Sequence, residues 1–145
     1  MSVTVGPLEA GDRVQWESLF TGYLEFYESA LPQQVYDRNW EAFAADDTLH
    51  ALGARIDGRL VGITHFLTHA DTWGDDVCYL KDLFTASDVR GKGVARALIE
   101  AVAAWASAHG CAKLYWHTHE TNATARLLYD KVAENRGFIR YQRAL

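Results

Sequence analysis

Only two cysteines, Cys78 and Cys111, occur in the 145 residues, and neither stands in a CxxC or CxxH spacing. A disulfide framework or a zinc site needs more thiols set closer together, so neither is expected and a reducing compartment suits the chain. Prolines are as few, at Pro7 and Pro32, and no Pro/Gly/Ser-rich stretch, repeat or low-complexity tract marks an internal boundary. No apolar run approaches the roughly 18 residues of a membrane span. The first residues, Met1-Ser2-Val3-Thr4-Val5-Gly6, have neither the basic nor the apolar region of a secretory signal, which makes a cytoplasmic location the expectation. Positive charge is short as well: 14 Lys+Arg against 19 Asp+Glu leave a formal net charge of −5. Nucleic acid and anionic membranes are bound through clustered Lys/Arg, so neither is an expected partner.

What is present is an ordinary globular balance, 49% hydrophobic and 23% charged. A chain of this length folds as one domain, here spanning 1–145, and buries enough surface for a core without metal or disulfide support. Residues 3–5 form an expected short strand. Trp16, Leu19, Phe20, Tyr23, Leu24 and Tyr27 then recur at spacings of three and four, the mark of an amphipathic helix. Pro32 opens a second helix carrying Val35, Trp40 and Phe43. From residue 49 the period becomes that of strands, over 49–56, 60–67 and 77–85, with Asp57-Gly58 as a hairpin turn. A long helix over 91–109, a short strand over 113–117, a helix over 123–132 and a final strand over 138–142 complete the order. The expected fold is α/β: a mixed, mostly antiparallel sheet flanked by helices.

The most informative segment is Arg90-Gly91-Lys92-Gly93-Val94-Ala95, between the third long strand and the long helix. Glycines there let backbone N–H groups approach a ligand, and the helix N-terminus favours an anion. Arg90, Lys92 and Arg96 add positive charge to one corner of an acidic protein. The segment is neither a Walker A motif nor a dinucleotide fingerprint, since GxxxxGK[ST] and the third glycine are both missing.

Arg90-x-x-Gly93-x-Ala95 resembles the R/Q-x-x-G-x-G/A signature of the GCN5-related N-acetyltransferases (GNAT). Tyr79-Leu80-Lys81-Asp82-Leu83-Phe84 resembles the fourth strand of that family, and Asn122-Ala123-Thr124-Ala125-Arg126-Leu127-Leu128-Tyr129 its second acetyl-CoA segment. Tyr115-Trp116-x-Thr118 and Leu128-Tyr129-Asp130-Lys131-Val132 look closest to the branch of yeast histone and D-amino-acid acetyltransferases.

The resemblance implies transfer of an acetyl group from acetyl-CoA, as co-substrate, to a primary amine of a small molecule such as a polyamine or amino acid. Strands four and five would splay around acetyl-CoA. Its pyrophosphate would lie on Arg90, Gly91, Lys92, Gly93, Val94, Ala95 and Arg96, and its pantetheine arm along Leu83, Phe84 and Thr85, with Asn122 opposite. Tyr129, two helical turns after Asn122, would protonate the leaving thiolate; the plainer reading is a tyrosine packing its helix on the sheet.

The strand position of a glutamate in diamine acetyltransferases is Lys81 here, so the general base is open. Asp82 is the nearest replacement, although neighbours on a strand are expected to face opposite sides. Glu25, Glu28, His117 and His119 are further candidates, and His50, His65, His69 and His109 form no metal-ligand pattern. Tyr23, Tyr27 and Glu28 would line the acceptor site, with Lys81 or Arg38 available to hold a substrate carboxylate. Cys78 reads as a small buried strand residue. Relatives carry two terminal strands where this chain has one short segment after Gly137-Phe138. A second subunit would cap that edge, so a homodimer is expected. A protein or histone lysine acceptor, and a non-catalytic CoA-binding regulatory module, are the alternatives.

Overall fold

The alternating stretch after residue 49 closes into a hairpin at Asp57-Gly58, both with positive φ, 51° and 79°. In the computed structural model, which describes residues 2–145, this hairpin joins β2 (His50–Ile56) to β3 (Arg59–Asp71). β1 (Thr4–Pro7) pairs antiparallel with β2, and β4 (Gly74–Thr85) antiparallel with β3. β5 (Leu114–Tyr115) completes the sheet, in the order β1-β2-β3-β4-β5, and runs parallel to β4. Its register is confined to Cys78↔Leu114 and Tyr79↔Tyr115. From Leu80 to Thr85 the two strands part, which is the splay expected around a ligand.

Helices α1 (Arg13–Phe26) and α2 (Gln33–Ala45) cover one face of the sheet. The spacing-of-three-and-four stripe puts Trp16, Phe20 and Leu24 in the core there, with Tyr36, Leu60 and Ile63. Trp16 is fully buried, its ring 5.6 Å from Phe20, 5.2 Å from Trp40 and 5.5 Å from Phe43. Burying large aromatics of this kind contributes about 1.5–3 kcal/mol apiece. A β-carbon at Gly22 would stand 3.1 Å from the Phe84 ring, so this glycine lets α1 cross close over β4. At the entrance of α1 the Asp12 carboxylate accepts the Glu9 N–H at 2.6 Å and is paired with Arg55, whose hydrogen bond holds the carboxyl below its ordinary range.

The other face is closed by α3 (Val94–Ala108), through Val94, Leu98, Ile99 and Val102. Cys78 is fully buried on this side, and burial pushes its thiol up to about 12, so it packs and does not react. α4 (Ala123–Val132) rests Leu128, Tyr129 and Val132 on the same cluster. No helix among the described residues is long and apolar enough to cross a membrane.

Three sequence expectations are corrected. Residues 138–142 form no strand. Beyond α4 the chain turns where the Gly137 N–H meets Asn135 Oδ1 at 2.9 Å, and the tail runs without backbone pairing among the described residues, leaving Phe138, Ile139 and Tyr141 exposed. The long helix starts at Val94 and not at residue 91, because Gly91 and Gly93 take the left-handed conformation. Pro32 caps α2 from outside the helix, with ψ 155°.

Candidate acetyl-transfer site

β4 ends at Thr85, and a single turn of 3-10 helix, Ser87–Val89, leads to the glycine segment. Gly91 and Gly93 have φ of 79° and 81°, where a side chain would be strained although nothing fills the space around either. Gly93 is the N-cap of α3, and no side chain caps the helix. The first N–H groups of α3 are therefore left for a ligand, with the helix dipole behind them. Arg90, Lys92 and Arg96 are exposed around this corner. Arg59 adjoins it, paired with Asp88 at 2.8 Å, and its hydrogen bond holds the Asp88 carboxyl below the ordinary range, aided by Lys92. The Thr85 hydroxyl, at the strand end leading here, is buried and has no hydrogen-bond partner, alone among the described residues in this respect. Orphaned helix donors, left-handed glycines and an unmatched hydroxyl beside the splay fit a phosphate-bearing ligand with a polar arm.

A cavity beside this strand is shaped by an irregularity in β4. His65 pairs with Asp82, but Phe66 pairs with Leu80, so Lys81 is the extra residue of a β-bulge. Strict alternation would send Asp82 away from Lys81; the bulge turns both into one cavity. That cavity, about 270 Å³, is lined by Phe20, Tyr23, Phe43, His65, Lys81 and Asp82, with Leu24, Leu31, Asn39 and Leu49 completing the wall. Asp82 Oδ2 lies 3.0 Å from His65 Nδ1, and Oδ1 lies 3.4 Å from Lys81 Nζ. Burial alone would raise the Asp82 carboxyl, but the His65 hydrogen bond, the Lys81 charge and the Tyr23 phenol together hold it below its ordinary range. Asp82 in turn raises the Tyr23 phenol, after the larger effect of burial.

The rings of Tyr23 and Tyr27 stand 5.1 Å apart, and Tyr27 lines a second cavity of about 400 Å³ with Phe26, Glu28, His119, Thr121 and Asn122. Glu28 takes φ 54° just after α1, which aims the chain around this opening. Asn122 is the N-cap of α4 and donates from Nδ2 to Thr118 Oγ1 at 3.3 Å. Tyr129 packs against Trp116 at 5.4 Å, and its phenol is raised by burial first and by Tyr27 second. A phenol raised in this way stays protonated at neutral pH and so is available as a proton donor to a leaving group that develops negative charge.

The structure thus brings Asp82, Lys81 and Tyr23 into one cavity and Tyr27, Glu28 and Asn122 into the other, with Leu83, Phe84 and Thr85 following Asp82 along β4. Tyr129 lines neither cavity and is linked to them through Tyr27, which helps to raise its phenol. Three of the proposed residues fall elsewhere. Glu25 is exposed and lines neither cavity, Arg38 is exposed on α2 beyond the acceptor wall, and His117 is exposed and bonded to Tyr79 at 3.1 Å. Residues that sequence reasoning passed over are His65, Asn39, Leu31 and Phe43. For His65 a signal existed: the hairpin register that sets β3 against β4 places it opposite Asp82.

Residues 16–133 match the acetyltransferase (GNAT) family. The chain is 33% identical to the D-amino-acid N-acetyltransferase HPA3 of Saccharomyces cerevisiae over 146 residues, spanning 97% of this chain and 90% of that protein. The ribosomal-protein-alanine N-acetyltransferase of Brucella melitensis biovar Abortus superposes with a TM-score of 0.78 at 27% identity, over 99% of this chain and all of the other. The aminoglycoside N-acetyltransferase AAC(6')-Iy, solved with a CoA bisubstrate analogue, shares the fold with a TM-score of 0.86 at 19% identity, over 100% and 99% of the two chains.

Proposed function

The chain belongs to the GNAT family of acetyltransferases, and on that premise we propose that it acetylates the primary amine of a small molecule, with an amino acid as the favoured acceptor. The enzyme is an acyltransferase that uses acetyl-CoA as co-substrate. The observation that carries the acceptor reading is the side-by-side presentation of Asp82 and Lys81 in one aromatic-walled cavity. A carboxylate beside an ammonium matches the two ends of an amino acid, and the wall of Phe20, Leu24 and Phe43 takes an apolar side chain. The yeast relative acts on D-amino acids by name, which supports the same class.

The residues divide the work as follows. Arg90, Gly91, Lys92, Gly93, Val94, Ala95 and Arg96 hold the phosphates, and Leu83, Phe84, Thr85 and Asn122 hold the arm. Bound acetyl-CoA supplies an activated acetyl thioester. The amine arrives as an ammonium ion and loses one proton to solvent; its lone pair then forms the new C–N bond, and Asp82 accepts a second proton from the nitrogen that this bond makes cationic. A carboxylate held below its ordinary range does not deprotonate a free ammonium at equilibrium, so its proton transfer follows bond formation, when the nitrogen is far more acidic. Tyr129 donates its phenolic proton to the sulfur as the C–S bond breaks, and recovers a proton from solvent. Tyr23, Tyr27 and Glu28 line the approach.

Thiol release measured against a panel of D- and L-amino acids, polyamines, aminoglycosides and a histone-tail peptide tests this. Amino acids lead the panel if the reading is right; preference for the peptide or for polyamines overturns it. Tyr129→Phe lowers kcat by about 10²–10⁴, and unchanged turnover removes Tyr129 from its role.

A homodimer is part of the same proposal. Each chain carries an open β5 edge and, in residues 137–145, an unpaired apolar arm in which Phe138 and Tyr141 are about 90% exposed. Exchange of arms across a twofold axis covers both at once. Sedimentation equilibrium reports a dimer that becomes monomeric when the chain ends at Asn135; a monomer at all concentrations sinks the idea. The free thiols Cys78 and Cys111 suit a cytoplasmic location.

A further inference from the structure

His65 is 2% exposed and sits on β3 directly opposite Asp82. Both of its ring nitrogens are bonded. The Trp16 indole N–H donates to Nε2 at 2.9 Å, and an indole nitrogen can only donate, so Nε2 is an acceptor and the imidazole proton resides on Nδ1. Nδ1–H in turn donates to Asp82 Oδ2 at 3.0 Å. The ring is stacked on Phe43 at 4.7 Å and met edge-on by Phe20 at 5.2 Å, which prevents it from turning over. An imidazole with no vacant nitrogen cannot accept a proton from substrate. Whatever it does for the chemistry passes through Asp82.

We infer that His65 is a positioning residue for Asp82: clamped between Trp16 and the carboxylate, it occupies Oδ2, so that the acceptor amine is met by Oδ1, which Lys81 Nζ also approaches, at 3.4 Å. This rests on the reading that Asp82 serves the amine. The groups facing Asp82 are His65 from β3, Lys81 from β4, Tyr23 and the more distant Tyr27 from α1 and its end, and from α2 only the neutral Asn39. Without the Nδ1–H donor the buried carboxylate loses the bond that favours its ionised form, and desolvation drives it toward protonation. Trp16 therefore acts at one remove, by fixing which nitrogen of His65 carries the proton.

Two variants separate this role from packing. His65→Leu removes the donor, whereas His65→Asn places an amide N–H where Nδ1–H was. Carboxyl-labelled aspartate NMR gives the Asp82 titration, and kcat/KM against pH is measured in parallel on the full chain. In His65→Leu the Asp82 midpoint and the acid limb of kcat/KM both move up, and kcat/KM at neutral pH falls about tenfold. His65→Asn restores most of both. An Asp82 titration that does not move in His65→Leu overturns the inference, as does an equal loss in both variants. A titration that moves while kcat/KM stays at the wild-type value upholds the link to His65 and overturns instead the use of Asp82 by the amine. Should His65→Leu not fold, Trp16→Phe serves: freeing Nε2 broadens the His65 Nδ1–H proton resonance, and an unchanged, sharp resonance overturns the clamp.

Discussion

The two halves of the cleft are made of different material. The proposed phosphate corner is backbone: left-handed glycines, uncapped helix N–H groups and basic side chains standing in solvent. The acceptor cavity is side chain: Asp82 held by a buried His65, itself held by Trp16, inside a shell of aromatic rings. Backbone presents the same donors whatever the neighbouring residues are, so one corner can serve one invariant ligand. Side chains packed against one another respond to every exchange, which suits the role proposed for this half, choosing among amines.

Substitutions that strike one half should leave the other standing. The largest effect belongs to Gly93→Glu, which forces a side chain into φ 81° and sets a negative charge among phosphate-binding groups. Acetyl-CoA at about 100 times its Kd should raise the wild-type Tm by roughly 5–10 °C, and thermal melting of Gly93→Glu should show no rise and no turnover. Next comes Asp82→Asn, with kcat/KM lower by about 10² while the acetyl-CoA-induced rise in Tm persists. Loss of that rise in Asp82→Asn would break the division between the halves. Lys81→Met should then raise KM about tenfold for amino acids and leave the KM of simple amines without a carboxylate unchanged, as steady-state kinetics would read out. Smallest is Arg96→Ala, which weakens acetyl-CoA binding by about two- to fivefold at low salt and less at high salt, because its partner charge lies in solvent.

The same division explains what could be read from the sequence. The corner was legible because its signal is local: Arg90 to Ala95 are contiguous, and the helix start follows the glycines. Most strands and helices were legible for the same reason, through period and turn residues such as Asp57-Gly58. The acceptor cavity was half legible. Tyr23 and Lys81 were found, but His65 passed as one of several scattered histidines, because its meaning depends on a partner 17 residues away across a hairpin. Asp82 was named as a candidate base against the expectation from alternation, which carries no sign of a bulge. The strand expected over 138–142 has the right alternation but no strand neighbour among the described residues, and pairing is a property of two segments.

The bulge at Lys81 has a consequence for how this scaffold can diversify. A strand of even pleat offers a ligand every second residue, and each change of specificity must skip a position. The additional residue in β4 instead offers two consecutive side chains, a cation and an anion, to the same cavity. The following residues, Leu83 to Thr85, keep their register against β3. On the proposed roles, a lineage can rewrite that dipeptide, and with it the amine favoured, while the strand beyond it keeps unaltered the face proposed for the cofactor.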